Sequence, residues 1–454
     1  MIRRLIKKVV PASVFHRVEP YGHLGEAMLR QARAGFPAKG LKVIGVTGTD
    51  GKTTTCTLIT AMLRANGYKV GMMTTISVDY GDGRGAQPNP TRLTTLGVGS
   101  LVGRIKKIKA NKAEWLVLET TSHALAQHRV WSIPYSIAVM TNVGHEHLDY
   151  HGTFERYRAA KRMLFEQTNR NRKGLQVGIA NADDPSGMLF AKAVKHPVLY
   201  GIKHGDLRAH DIKLTPTGST YTATIGKDTY HIECHLPGGF NVYNSLAAVA
   251  AGRAAGLTPA QIEKGIASLD AVEGRMTKVD EGQDFAVIVD YAHTPESFEK
   301  VFKEVRPLTK SRLIVVFGSA GRRDEAKRAM QGKVAGHNTD VVIVTEEDDR
   351  DIDGQEILEQ IANGAEQSGK KLDKDLFLVH DRKTAVRAAI DMAKKGDIVL
   401  LLGKGHEKSI LGNGPKAAEL RHLPQDDSDQ RRVVKRDYDE IKVAQQALRE
   451  RTRR

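Results

Sequence analysis

Residues Val43 to Thr55 read Val-Ile-Gly-Val-Thr-Gly-Thr-Asp-Gly-Lys-Thr-Thr-Thr, and this stretch limits what the chain can fold into. The apolar run 41–46 predicts a buried strand. Glycines interrupt it, and a helical pattern follows over 53–66, stopped by Gly67. Glycines let backbone N–H groups curl around phosphate oxygens, and the helix N-terminus adds partial positive charge. Gly48, Thr49, Asp50, Gly51, Lys52, Thr53 and Thr54 are therefore candidate phosphate-binding residues. Lys52 supplies a full charge, and the Thr53 hydroxyl suits a phosphate-bound Mg²⁺. A standard P-loop has glycine where Val46 stands, with glycines here at 45 and 48, so the motif is a variant. The plainer alternative is a glycine-rich turn followed by a surface lysine.

At 454 residues, two or three domains are expected. Hydrophobic residues make up 40% and charged residues 27%, as in soluble globular chains. No run reaches membrane-span length, and the N-terminus lacks a signal-peptide core. Cys56 and Cys234 make no disulfide framework, so a cytoplasmic location is expected. The net charge is +16, with +7 in residues 1–42 and +5 in residues 431–454. Basic ends suit an anionic partner such as nucleic acid, a membrane surface or an acidic substrate. The plainer reading is that they are solvated, helix-forming tails.

Along the chain, residues 1–40 suggest short amphipathic helices bounded by Pro11 and Pro37. Strands are expected at 68–75, 114–119, 136–141 and 176–180, with helices at 95–110 and 153–167, the latter capped by Thr153. Residues 79–91 read as a glycine-rich loop. This alternation predicts a mostly parallel sheet. Residues 208–236 look antiparallel, and helices follow at 241–255 and 259–269, the second capped by Thr258. After a linker at 271–284, a second α/β series has strands at 285–290, 313–317, 341–345, 376–379 and 398–402. The expected fold class is thus α/β. A basic segment (1–40) precedes a central P-loop ATPase domain (41–272) with a mostly parallel sheet, and a C-terminal Rossmann-like domain (273–454) ends in a basic tail.

Polar groups cluster just after strand ends, where open α/β sheets place ligands. Glu119, the segment His145–His151, the segment Asp290–Pro295 and the segment Gly403–Glu407 all sit there. Polar sets on both sheets suggest a cleft between two domains. Glu119 is a hard oxygen donor suited to Mg²⁺. Imidazole is less typical for that ion, so chemistry alone leaves His147 open between ligand and structural histidine. A helical lysine such as Lys161 reads, by itself, as part of a solvated face.

Taken together, these segments resemble the Mur ligase family, and within it the MurE type. The resemblance is carried by Thr47–Thr55, Glu119–Leu125, Thr141-Asn142, His147–Gly152, Tyr157–Lys161, Phe240–Asn244, Gly274–Met276, Asp290–Pro295 and Gly403–Glu407, in family order. It implies an ATP-dependent ligase that forms an amide bond on a muramyl-peptide during peptidoglycan synthesis, through an acyl phosphate. It also implies roles. Lys52 and Thr53 hold ATP phosphates and Mg²⁺, with Glu119 and His147 as further metal ligands. Lys161 matches a lysine that becomes carbamylated. Asn244 contacts adenine, Arg275 and Asp290 contact the nucleotide, and His293 lies near the phosphates. Thr94, Thr95, Ser122 and Arg129 match positions near the sugar-peptide. Lys404, His406 and Glu407 lie where the incoming amino acid binds.

Arg350 aligns with an arginine that grips the far carboxylate of meso-diaminopimelate in the family's Asp-Asn-Pro-Arg motif. Asp348 and Asp349 replace its Asn and Pro, which favours a free ammonium and makes L-lysine the competitor. About 40 residues precede the P-loop strand, where the MurE type carries a uridine-binding domain. A form without that domain is expected, which leaves open whether the acceptor is UDP-linked. The alternatives are a folylpolyglutamate-synthase-like ligase and a nucleotide-dependent scaffold.

Overall fold

The computed structural model describes residues 12–89, 94–144, 146–215, 217–422 and 429–453; side chains are described for all of these except 12–20, 148 and 149. His145, residues 1–11 and the start of the polar tail at 424–428 lie outside the described residues. The chain divides into two compact units. One comprises residues up to 214 together with 218–270, and the other runs from 271 onward and takes in 215–217.

The first unit is built on one sheet. Its strands are β1 (Lys42–Thr47), β2 (Val70–Met73), β3 (Ser77–Asp79), β4 (Gln87–Pro88), β5 (Trp115–Glu119), β6 (Tyr135–Met140), β7 (Val177–Asn181), β8 (His196–Gly201), β9 (Leu207–Thr215), β10 (Gly218–Ile225) and β11 (Asp228–Cys234). The spatial order is β11-β10-β9-β8-β7-β6-β1-β5-β2-β3-β4. β1 lies between β5 and β6 and is parallel to both. β2, β7 and β8 extend the parallel region. Antiparallel pairs finish both edges, β2–β3–β4 on one side and β10–β11 on the other. Every residue of β5 and β6 is buried, the continuous apolar signature of a covered parallel strand.

Local chemistry sets the helices of this unit. Thr153 caps Phe154–Arg170 by accepting from Arg156 N, and Thr258 forms a full capping box with Gln261 ahead of Pro259–Ala267. Among the described residues of the N-terminal segment there is one helix, Ala12–Arg33. It is docked: Ala27 is fully buried with Val98 and Val102, and Gln31 Nε2 donates to Trp131 O at 3.3 Å. Strands β3, β4 and β8 are additions to the sequence expectation. The two cysteines are free and buried.

The second unit has strands β12 (Thr277–Val279), β13 (Ala286–Asp290), β14 (Leu313–Phe317), β15 (Val341–Val344), β16 (Leu376–Leu378) and β17 (Ile398–Leu402) in the order β12-β13-β17-β14-β15-β16. All pairs are parallel except β12–β13, so the expected linker contains an edge strand. A separate ribbon pairs β18 (Ser409–Asn413) with β19 (Val433–Asp437). The basic tail is built into this unit: helix Glu440–Thr452 buries Ala444, Ala447 and Leu448 in the core. Glu440 there accepts from Arg382 Nε at 2.9 Å, both side chains fully buried. Among the described residues, no helix is long and apolar enough to cross a membrane.

Candidate active site

The loop leaving β1 is clamped by the residues that follow β6. Thr49 N donates to Asn142 O (2.9 Å), Asp50 N donates to Asn142 Oδ1 (2.9 Å), and Thr141 Oγ1 donates to Asp50 O (2.6 Å). Gly48 has φ +154°, and a Cβ there would stand 1.9 Å from Thr141 Oγ1. Gly51 caps helix Lys52–Ala65 in the left-handed region (φ 77°), against Asn244, whose Oδ1 a Cβ would meet at 2.2 Å. The Asn244 amide in turn donates to Asn241 Oδ1 at 2.8 Å, and Thr54 is buried in the first helical turn. The result is a cradle of backbone amides at a helix N-terminus, the geometry that holds phosphate.

Two lysines converge on this cradle. Lys52 Nζ donates to Gly48 O (3.0 Å) and Thr49 O (2.6 Å). Lys161 Nζ donates to Gly48 O at 2.5 Å and lies 4.5 Å from the centroid of the Tyr157 ring. Lys161 is only 2% exposed, so it occupies no solvated face. Burial, followed by the nearby Lys52 ammonium, holds its amine well below the usual lysine range, against the opposing pull of Glu146, Asp50 and Glu119.

Hard oxygen donors lie beside the cradle. Thr53 Oγ1 donates to Glu119 Oε2 at 2.9 Å, and the buried Glu119 also accepts from Thr75 N (2.8 Å) and Thr75 Oγ1 (3.0 Å). Thr75 Oγ1 is 3.0 Å from Thr94 Oγ1. This oxygen pair and the glycine cradle fit Mg²⁺ and a polyphosphate in donor chemistry and in space. His147 is exposed at φ +55°, 3.7 Å from Glu146 Oε2, with its ring edge-on to His123 at 4.6 Å.

The expected substrate positions cluster next to this. Thr95 Oγ1 donates to Glu119 O (3.0 Å) and accepts from Thr121 N (3.1 Å). Thr121 caps the short helix Ser122–Ala126. Ser122 Oγ is 3.0 Å from His151 Nε2, and Arg129 donates to Thr95 O. Arg129 Nε is buried without a partner, an orphan donor suited to an anionic ligand.

Several residues went unassigned in the sequence reading. Thr75, Asn142 and Tyr157 have the clearest structural roles, because Thr49 Oγ1 also meets Tyr157 OH (3.0 Å) and accepts from Gly144 N (2.9 Å). Tyr157 and Asn142 fell inside the matched segments, but their bonds span about 90–110 residues and left no local signal.

In the second unit, Asp290 ends β13 and accepts from Met276 N and Ala292 N, each at 2.8 Å. The Arg275 guanidinium lies over the Tyr291 ring at 4.9 Å, and the rings of His293 (4.9 Å) and His406 (4.7 Å) pack on the same tyrosine. His293 O accepts from Gln331 Nε2 at 2.9 Å. Lys404 is fully buried and donates to Glu407 Oε2 (2.6 Å) and Asp348 Oδ1 (3.1 Å). Arg350 is 5% exposed, and its guanidinium donates to Gly321 O (2.9 Å) and Asp348 O (3.3 Å). Among the described residues, Glu346, Asp349 and His380 bring metal-type donor atoms within 4.8 Å of one another. Glu346 pairs with Arg436, and within the trio Asp349 Oδ2 meets His380 Nε2 at 2.7 Å.

The family models for the Mur ligase middle domain and for the Mur ligase glutamate ligase domain match residues 46–252 and 274–405. The chain is 41% identical to a UDP-N-acetylmuramyl-tripeptide synthetase of Roseiflexus sp., over 88% of this chain and 82% of that protein. The chain belongs to the Mur ligase family. It is an ATP-dependent amide ligase of the MurE type. It is also 39% identical to a UDP-N-acetylmuramoyl-L-alanyl-D-glutamate–2,6-diaminopimelate ligase of Geobacillus thermodenitrificans, over 87% of this chain and 80% of that protein. A solved structure of a ligase of that same name superposes with TM-score 0.64 at 28% identity, covering 96% of this chain and 83% of that one. Mycobacterium tuberculosis folylpolyglutamate synthase, at 14% identity and TM-score 0.64, shares the fold.

Proposed function

We propose that this Mur ligase adds a dibasic amino acid, meso-diaminopimelate or L-lysine, to the peptide carboxylate of a UDP-linked muramyl-peptide. The observation that carries the reading is the convergence of Lys52, Lys161, Thr53 and Glu119 on the glycine cradle of the first unit. Relatives named for muramyl-tripeptide synthesis favour it over a folylpolyglutamate-type reaction.

The backbone amides of 48–54 and the Lys52 ammonium hold the ATP phosphates. Thr53, Glu119 and His147 would hold Mg²⁺, which when bound would supply charge neutralisation at the transferred phosphoryl group. Lys161, buried with a depressed basicity, reacts as its neutral amine with CO₂, forming a C–N bond and releasing one proton to give an anionic carbamate. Thr94, Thr95, Ser122 and Arg129 orient the muramyl-peptide carboxylate, and Asn244 contacts adenine. Arg275, Asp290 and His293 contact the nucleotide. Lys404, His406, Glu407 and Arg350 hold the incoming amino acid so that its amine attacks the activated carbonyl and phosphate leaves. Positioning and charge stabilisation carry the rate, with no covalent enzyme intermediate.

Phosphate release from ATP, measured with UDP-linked and free muramyl-dipeptide and a panel of amino acids, tests this. Release that requires both a muramyl acceptor and a dibasic amino acid is expected. Release with a folate acceptor and glutamate instead overturns the reading.

A further inference from the structure

Helix Ala12–Arg33 turns one face into the first unit and leaves another open. Ala27 is fully buried with Val98 and Val102, and the buried Gln31 donates to Trp131 O at 3.3 Å. Arg30 reaches the neighbouring helix Val98–Ala110, where a Cβ on Gly99 would stand 2.8 Å from its Nη1. The docked face thus holds the helix in place without help from a partner.

A second arc is apolar, and its side chains stand exposed. Tyr21, Met28, Leu29 and Ala32 recur at i, i+7, i+8 and i+11, the spacing of one helical face. Tyr21 is 73% exposed, Leu29 52% and Met28 47%. Phe36 follows at 40%, its backbone in the left-handed region (φ 51°) and its ring 6.4 Å from that of Trp131. Among the described residues, four of the ten large hydrophobic side chains that stand exposed fall between positions 21 and 36. Single exposed apolar residues are ordinary, but a set grouped on one face marks a contact surface.

Cations accompany this arc. On the same helix Arg33 is exposed, and the exposed Arg30 donates to Glu26 Oε1 at 2.7 Å. Lys39 and Lys109 are exposed as well, and Lys109 Nζ donates to Lys39 O at 2.8 Å. In the sequence, residues 1–11 add Arg3, Arg4, Lys7 and Lys8 and no Asp or Glu. A nucleic-acid backbone would take the cations but has no use for Met28 and Leu29. The boundary between anionic headgroups and acyl chains takes both. Tyr21, with an apolar ring and a polar tip, suits that boundary.

We propose that the face formed by Tyr21, Met28, Leu29 and Phe36 docks this protein on an anionic lipid bilayer. The helix lies in the plane of the headgroups, with Arg33, Lys39 and the cations of residues 1–11 against the lipid phosphates. The contact is peripheral, since among the described residues no helix is long and apolar enough to cross a membrane. It is independent of the ligase reading, because none of these residues belongs to the glycine cradle or to the groups beside it.

The test is co-sedimentation of the full-length protein with vesicles of phosphatidylcholine alone or mixed with phosphatidylglycerol. Binding to the anionic vesicles about tenfold or more tighter, and weakened as salt rises from about 0.1 M to 1 M, is expected. Replacing both Met28→Ser and Leu29→Ser is expected to weaken binding to the anionic vesicles about tenfold, with the unfolding midpoint unchanged. Tyr21→Ser, at the most exposed of these positions, should act in the same direction and decides the matter if the double variant fails to fold. No binding, equal binding to uncharged vesicles, or full binding by the folded variants overturns the proposal. So does a dimer in solution that the double variant dissolves, which gives the face to a second copy of the chain. Displacement from the vesicles by duplex DNA likewise overturns it and gives the cations to nucleic acid.

Discussion

Lys161 donates to the carbonyl oxygen of Gly48 at 2.5 Å, and Lys52 donates to that same oxygen at 3.0 Å. Burial, and then repulsion from the Lys52 ammonium, lowers the basicity of Lys161. A neutral amine is the form that adds CO₂, so this lowered basicity supports the carbamate proposed for Lys161. Lys161→Ala is expected to reduce turnover about a hundredfold or more, the scale of losing a preorganised charged group. Added bicarbonate is expected to restore part of it. Undiminished turnover in the alanine variant rules the role out.

Gly48→Ala is expected to disable the cradle. Its Cβ would meet Thr141 Oγ1, which is buried and fixed by its bond to Asp50 O, and the backbone stands at φ +154°. Overpacking on this scale costs about 1–3 kcal/mol of stability. Denaturant unfolding and nucleotide titration should both show the loss. Wild-type nucleotide affinity in the variant contradicts the cradle assignment.

The Arg382–Glu440 pair fixes the last helix to the second unit, and both side chains are fully buried. Removing one partner leaves a buried charge alone, at about 3–5 kcal/mol. Arg382→Ala is therefore expected to lower the unfolding midpoint strongly, whereas Arg387→Ala, which breaks an exposed pair with Glu450, should cost less than about 1 kcal/mol. Similar effects of the two variants would show that the helix is held by its apolar face alone.

The His380–Asp349 contact makes a pH prediction. The hydrogen bond to Asp349 raises the His380 pKa above its ordinary 6.5, against partial burial. A raised folded-state value means that the stabilisation is complete below pH 6.5 and is lost as pH climbs through the higher folded value. Unfolding curves at pH 6 and pH 8.5 should show the wild type losing more stability across that interval than His380→Ala. Parallel losses in both proteins refute the linkage.

Much of the architecture was legible because its signals are local. The strand-turn-helix around Lys52, the apolar runs of β5 and β6 and the Thr153 and Thr258 caps each lie within a few residues. Of the missed strands, β3, β4, β12, β18 and β19 are two to five residues long and lie at or near sheet edges or in the ribbon, where pairing partners decide their shape more than composition does, whereas the missed β8 has six residues and lies inside the sheet between β7 and β9. The tail read as polar because charge dominates its composition, yet Ala444, Ala447 and Leu448 form a buried face spaced three and one residues apart. The site divides in the same way. Lys52 and Thr53 are announced by their neighbours, whereas Lys161 reads as a surface lysine until Gly48, 113 positions earlier, is brought to it.

The ribbon carries a lesson for anyone wishing to re-engineer this enzyme. Leu411 on β18 donates its N–H to Asp348 and accepts from the Arg350 N–H, and Asn413 Nδ2 donates to Ile352 O. The posture of residues 348–352 is thus imposed by a segment about sixty positions downstream. Transplanting the loop alone into another ligase moves its charges without the scaffold that aims them. A working graft has to carry the ribbon as well.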